Sequence, residues 1–280
     1  MQSERPEPPE KRTRLYISYT TPNLGDDIQT LACIAQYEQT LDLDLDTLSY
    51  IDRDNPVVDG PAHRYELDVN CWYGLGDQPM GFPGAIEQQL TSVSLRWADG
   101  QVPNGVLQWL RSNSPVGCRD RYSEWLCHQY EIEATLTPCP TLRLRRSHLP
   151  DLGESIEPLL IVDAAVELPG AERDTHQLTA EQRALPPAQR MALARSKLIR
   201  YAQSKGVITS RIHCAYPCIG MGVPVYFVPD GRVVSRIEGY EALLDHARRQ
   251  FVDTTDLDPL GLVRQATPSS QAEKILDIDK

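Results

Sequence analysis

A chain of 280 residues with 41% hydrophobic and 24% charged side chains has the make-up of an ordinary soluble globular protein. It is long enough for one large domain or two of roughly 100–150 residues. The formal net charge of −11 argues against a nucleic-acid surface, which is usually basic, but leaves room for a local pocket of arginines that takes a small anion. No apolar run approaches the ~20 residues of a membrane span. Seven scattered cysteines lack the paired spacing of a zinc site, so buried thiols and no metal are expected.

Residues 1–13 are charged and proline-rich with no apolar centre. They read as a disordered leader rather than a secretion signal, which places the chain in the cytoplasm. "RLYISY" (14–19) predicts a buried strand and "TTPNLGDD" a loop. A helix follows, with Leu24, Ile28, Leu31, Ala32 and Ala35 on one apolar face and Asp26 or Asp27 as its N-cap. Strands are expected near 47–52, 68–74, 92–97 and 115–120, with helices over "PNGVLQWLRSN" and "YSEWLCHQY". "EATLTPCPTL" (133–142) closes this half.

Arg143, Arg145, Arg146 and His148, then Pro150, Gly153 and Pro158, mark a crossing at about 143–158. "LLIVDAA" (159–165) restarts the pattern, 168–187 reads as a polar surface loop with a short helical piece, and a helix covers about 188–204. "VIT", a helix near 214–221, "VPVYFV" and a helix at 239–251 complete it. Alternating strands and helices predict an α/β fold with parallel sheets covered on both faces. The expected division is two Rossmann-like domains, 14–145 and 155–252, with a cleft between them. The acidic tail 253–280 is either loose or packed back on the first domain.

In such folds ligands bind beyond the carboxyl ends of the strands, and three of these ends carry polar groups. The first is Asn23-Leu24-Gly25-Asp26, where Gly25 permits a close backbone approach and the helix amides can hold an anion. A capped helix behind a turn glycine explains it equally well. The second is Arg119-Asp120, which also fits an ion pair at a helix start. The third is Ser210, Arg211 and His213 in an apolar frame, where the guanidinium is expected to be buried and in need of a partner. A structural histidine is the plain alternative there. Together the three describe a site for a small, strongly anionic substrate gripped by arginines and handled by acid–base chemistry.

"NLGDDIQTLA" (23–32), "YIDRD" (50–54), "PVGCRDRYSEWL" (115–126) and "VITSRIHCAYPCIGMGVPVYFV" (207–228) resemble the polysaccharide pyruvyl transferase family. "NCWYG" (70–74) and "CPTL" (139–142) fit the blocks between them, so the likeness spans about 23–228. The resemblance implies a GT-B-like pair of domains and transfer of the pyruvyl group of phosphoenolpyruvate to hydroxyls of a sugar, often as a ketal. It places Arg211 and His213 on the active-site Arg-x-His, Arg119 on the arginine after the central strand, and Asn23 and Asp26 on the first loop. By this reading His213 is the general acid and Arg119, Arg211, Asn23, Gly25, Asp26 and Ser210 bind substrate. The partners are phosphoenolpyruvate and a glycan or its precursor, with no nucleic acid and no cofactor. Two alternatives stand beside it. One is a nucleotide-sugar glycosyltransferase using Glu238 and Tyr240, and the other is a catalytically silent relative acting as a binding subunit.

Overall fold

The computed structural model describes residues 12–59, 61, 64–73, 81–84, 86–97, 101–153, 158–229 and 237–255. β1 (Thr13–Ser18) alternates as a strand buried on both faces must, with Leu15 and Ile17 entering one core and Tyr16 another. It pairs in parallel with β2 (Ser49–Asp52) on one side and β3 (Tyr65–Val69) on the other. β3 pairs with β5 (Glu87–Leu90), and their continuations β4 (Trp72–Tyr73) and β6 (Ser94–Leu95) pair with each other. Val93 bridges to Cys118, which brings in β7 (Val116–Cys118), and β7 pairs with β8 (Ala134–Leu136). The first half is therefore one composite parallel sheet. Helices α2 (Asn104–Ser112) and α3 (Arg121–Gln129) bury Val106, Leu107, Leu110 and Leu126 against one of its faces.

The second sheet contains β9 (Leu160–Val162), β10 (Glu172–Asp174), β11 (Val207–Thr209) and β12 (Val225–Phe227), all parallel, in the order β10-β9-β11-β12. Between β10 and β11 run a short helix α4 (Ala180–Arg183) and the long α5 (Pro187–Gln203), and α6 (Ile212–Met221) joins β11 to β12. Phe251 of α7 (Glu241–Thr255) packs with Ile161, Ile208 and Tyr226 on the outer face. The chain is thus an α/β protein built on parallel sheets.

Helix α1 (Leu24–Glu38) lies between the two halves. Its Leu24, Ile28, Leu31 and Ile34 share one core with Tyr16 of the first sheet and with Leu160, Val162, Met191, Leu198 and Tyr216 of the second half. Each such leucine or isoleucine contributes ~1.5–3 kcal/mol by leaving water. Asp27 of α1 and Arg190 of α5 form an ion pair at 2.6 Å inside this joint, both essentially inaccessible to solvent. The crossing at 143–148 is fastened to α6. Arg145 donates to the carbonyls of Leu142, Leu144 and Gly220, and Arg146 to that of Met221, so the cations meet the negative end of the helix. Gly220 is needed there because a Cβ would stand 2.6 Å from the Leu144 carbonyl oxygen.

Several expectations are corrected. The N-cap of α1 is Asn23, whose side chain accepts from the Gly25 N–H, and Asp26 and Asp27 sit in the first turn. The polar segment 168–187 contains β10 and a buried histidine, His176, rather than surface loop alone. The strand expected at 92–97 is the two-residue β6, and β5 precedes it in the polar "EQQL". Thr13 belongs to β1, helix α6 starts at Ile212, and α7 runs on to Thr255 inside what was read as tail. Residues 1–11 of the expected leader and 256–280 of the tail lie outside the described residues.

Candidate active site

The first turns of α1 and α6 touch. A Cβ added to Gly25 would lie 3.1 Å from the His213 Cβ, 3.2 Å from the Asn23 Oδ1 and 3.2 Å from the His176 Nδ1. Glycine at this position is therefore a condition of the contact. The N-termini of both helices meet in this region and their dipoles make it electropositive before any side chain is counted. The first amides of α1 are already taken, Leu24 by the His176 carbonyl, Gly25 by Asn23 Oδ1 and Asp26 by the Asn23 carbonyl.

The loop ahead of α1 is tied to the second half as well. The Leu24 N–H donates to the His176 carbonyl at 2.9 Å, the Leu178 N–H to the Pro22 carbonyl at 2.8 Å, and Asn23 bridges antiparallel to Gln177. Asp26 accepts from the Thr21 hydroxyl at 2.7 Å and, more loosely, from the side-chain amides of Asn23 and Gln29 at 3.4 Å.

Asp163 at the end of β9 organises the other side. It adopts φ 50°, in the left-handed region that Asp and Asn enter more readily than most residues. Its carboxylate accepts from the Thr175 hydroxyl at 2.6 Å, the His176 N–H at 2.9 Å and the Arg211 Nε at 2.8 Å. Ser210 donates its hydroxyl to the Asp163 carbonyl at 2.6 Å, pinning the end of β11 to the end of β9. Ser210 therefore serves the frame of the site.

Arg211 was expected to be buried without a protein partner, and both parts of that are corrected. Its side chain is 40% exposed and pairs with Asp163, because the strand has ended and the residue stands at the rim as the N-cap of α6. Nε is used by Asp163, and the two terminal nitrogens have no acceptor among the described residues. A guanidinium held in this way keeps its outer edge for a bidentate grip on an anion.

Burial opposes ionisation of Asp163, but the bonds from Thr175, His176 and Arg211 outweigh it and hold the carboxyl below its ordinary range. A depressed folded-state value stabilises the protein above the usual carboxylate range and ceases to do so as pH falls through it. Asp163→Asn keeps the backbone tolerance and removes the charge. Its melting temperature is expected to lie below wild type near neutrality, with the gap narrowing as pH falls below the usual carboxylate range. Thermal melts at neutral and at acid pH check this, and a gap that stays constant would contradict it.

Arg119 follows β7 and is 4% exposed. One terminal nitrogen donates to the Gln29 side chain, the other is buried without a partner, and no carboxylate pairs with it among the described residues. The Arg–Asp pair read from the sequence is thus absent. Asp120 instead caps α3 through the Ser123 N–H at 2.9 Å and accepts from the Ser94 hydroxyl at 2.6 Å. Gln29 links Arg119 to Asp26, so the first-half arginine and the α1 loop belong to one network.

Three polar residues just beyond strand ends were not picked out from the sequence. His176, 1% exposed, has Nε2 at 2.7 Å from the Tyr201 hydroxyl and an Nδ1 with no hydrogen-bond partner among the described residues. Asp163 was visible only as the polar residue after "LLIV". Arg53, 4% exposed at the end of β2, pairs with Asp54 at 2.8 Å and stacks 5.1 Å from the Tyr19 ring. Tyr240, which a nucleotide-sugar site would use for stacking, is buried against Tyr216 with its hydroxyl on the Arg119 carbonyl at 3.1 Å.

Among the described residues no group of three His, Cys, Asp or Glu side chains is placed to hold a metal ion. All seven cysteines are buried free thiols. No described helix is long and apolar enough to cross a membrane. A cavity of about 360 Å³ lies elsewhere, between the far end of α1 and the floor of the first sheet. Tyr37, Asp68, Gln89 and Thr137 line it, and none of the candidate site residues does.

No family model matches the chain, and no curated protein matches it. Among solved structures it is similar to the uncharacterized protein KP1_0663 from Klebsiella pneumoniae subsp. pneumoniae NTUH-K2044, at 14% identity and a TM-score of 0.48, covering 84% of this chain and 91% of that one.

Proposed function

We propose that the chain is a pyruvyltransferase of GT-B-like architecture, moving the pyruvyl group of phosphoenolpyruvate onto hydroxyls of a sugar. The observation that carries the reading is the contact between the first turns of α1 and α6, flanked by His213 and by a partly exposed Arg211 whose terminal nitrogens have no acceptor among the described residues. Two helix N-termini and two arginines suit a donor that carries both a carboxylate and a phosphate. A buried Arg119 without a protein carboxylate is the kind of group that an anionic ligand completes.

In the proposed reaction His213 delivers a proton to the methylene carbon of phosphoenolpyruvate, leaving an oxocarbenium-like centre at C2. A sugar hydroxyl adds to C2 and its proton returns to His213. A second hydroxyl then adds as the C2–O bond to phosphate breaks, and phosphate departs with the electron pair of that bond and takes up the second hydroxyl's proton. The products are a cyclic ketal and inorganic phosphate. Arg119 and Arg211 hold the donor and offset the negative charge throughout. Asp163 acts through Arg211 as a positioning residue.

Calorimetry with phosphoenolpyruvate tests the donor half directly. Wild type is expected to bind, and Arg211→Lys to bind at least about tenfold more weakly, because an ammonium cannot reproduce the planar two-point grip. Equal binding by the two proteins would remove Arg211 from the site, and no binding by wild type would sink the reading.

A further inference from the structure

We propose that the outer face of α3 is a glycan-stacking platform, on which a sugar ring of an extended acceptor lies against Trp125. The inference rests on the reading of a glycan acceptor and adds where the chain beyond the reacting sugar is held. Trp125 is 50% exposed, and Val57 is the other exposed large hydrophobic side chain among the described residues. It is not isolated, since its ring centroid lies 5.7 Å from that of Tyr122 with the planes inclined by 41°.

Tyr122 is fixed from two directions. Its hydroxyl donates to the Trp97 carbonyl at 3.0 Å, and the Arg96 guanidinium lies 4.6 Å over its ring. Arg96 is itself paired with Asp120 at 3.4 Å, and Asp120 caps the helix. The indole therefore stands beside a ring held in place before any ligand arrives, which lowers the ordering cost of binding.

The surroundings favour a sugar over a protein. Ser123, Leu126 and Cys127 face the core, while Arg121, Trp125 and His128 form an exposed stripe at i, i+4 and i+7. A protein interface would need on the order of 1,000 Å² with an apolar centre, whereas here one indole is bounded along the helix by a guanidinium and an imidazole. A pyranose ring presents a flat C–H face for the indole and hydroxyls at its edge for those polar neighbours. The position also fits, because α3 begins two residues after Arg119, so a sugar chain leaving the strand ends can reach it.

Affinity electrophoresis through gels cast with a glucan, a galactan or a mannan tests this without phosphoenolpyruvate. At least one polymer is expected to retard wild type. Trp125→Ala is expected to weaken that retardation about tenfold or more, as loss of a central tryptophan anchor does, with Trp125→Phe keeping most of it. No retardation of wild type by any of the three, or equal retardation of wild type and Trp125→Ala, would overturn the proposal. Sedimentation showing a wild-type dimer that Trp125→Ala abolishes would also overturn it, in favour of a contact between copies. Phosphate release from phosphoenolpyruvate with free monosaccharides is followed in parallel and is expected to be unchanged in Trp125→Ala. Polymer retardation without any phosphate release from wild type would leave the platform standing while sinking the pyruvyl reading.

Discussion

His213→Asn is expected to lose phosphate release from phosphoenolpyruvate by ~10²–10⁴-fold, the usual worth of a positioned general acid. Asparagine keeps the approximate size and hydrogen-bonding capacity of the imidazole but cannot supply a proton at useful pH. His213 is 4% exposed in the first turn of α6, so a smaller residue would leave a cavity and mix a folding defect into the rate. Phosphoenolpyruvate affinity, which the proposal assigns to the arginines and the helix dipoles, is expected to change little. A large fall in turnover with binding kept assigns the proton to His213. Normal turnover would show that another group supplies it, and His176, whose Nδ1 lies across Gly25, would be the next to test.

The second large effect concerns stability. Removing one member of the Asp27–Arg190 pair, as in Asp27→Ala, leaves the other charge buried without a counter-ion and is expected to cost ~3–5 kcal/mol. The pair lies in the core that joins α1 to α5, with Asp27 accepting from Arg190 Nη2 at 2.6 Å and from Nε at 3.2 Å. Urea unfolding measures the loss. Replacing both partners by apolar residues, Asp27→Leu with Arg190→Met, is expected to recover most of it. Burial pushes the Asp27 carboxyl up to about 6 against the pull of Arg190. A raised folded-state value contributes stability that is present at lower pH and lost as pH rises through about 6, opposite in sign to Asp163. A single variant no less stable than wild type would mean that the pair does not hold the halves together.

The elements that position the site were legible where periodicity and burial coincide. β1, β9, β11 and α6 carry short apolar runs and α1 an apolar face at helical spacing, and the polar residues at their ends stood out for that reason. Gly25 and His213 do meet, with Asn23 beside them, although nothing in the spacing of the chain brings α1 against α6. Charge hid the rest. β10 is "ERD", an edge strand whose Asp174 meets Lys197 and Arg200, so it carries no hydrophobic signal. His176 was lost with it, because a histidine in a polar stretch looks solvated until a tyrosine from α5 is found against it. Arg211 was misread in the other direction. Apolar neighbours in sequence suggested burial, but the strand stops at Thr209 and the guanidinium emerges onto Asp163. The N-cap was misplaced by three or four residues although asparagine caps helices as well as aspartate does, because two adjacent carboxylates were the louder signal.

The most direct test is to incubate the protein with phosphoenolpyruvate and a panel of mono- and oligosaccharides, following inorganic phosphate and the mass of each sugar together. The proposed chemistry predicts phosphate release that depends on one class of acceptor, with an equal quantity of that acceptor gaining a pyruvyl group as a ketal. Phosphate release without a pyruvylated sugar, or no release with any acceptor by a protein shown to be folded, would contradict it.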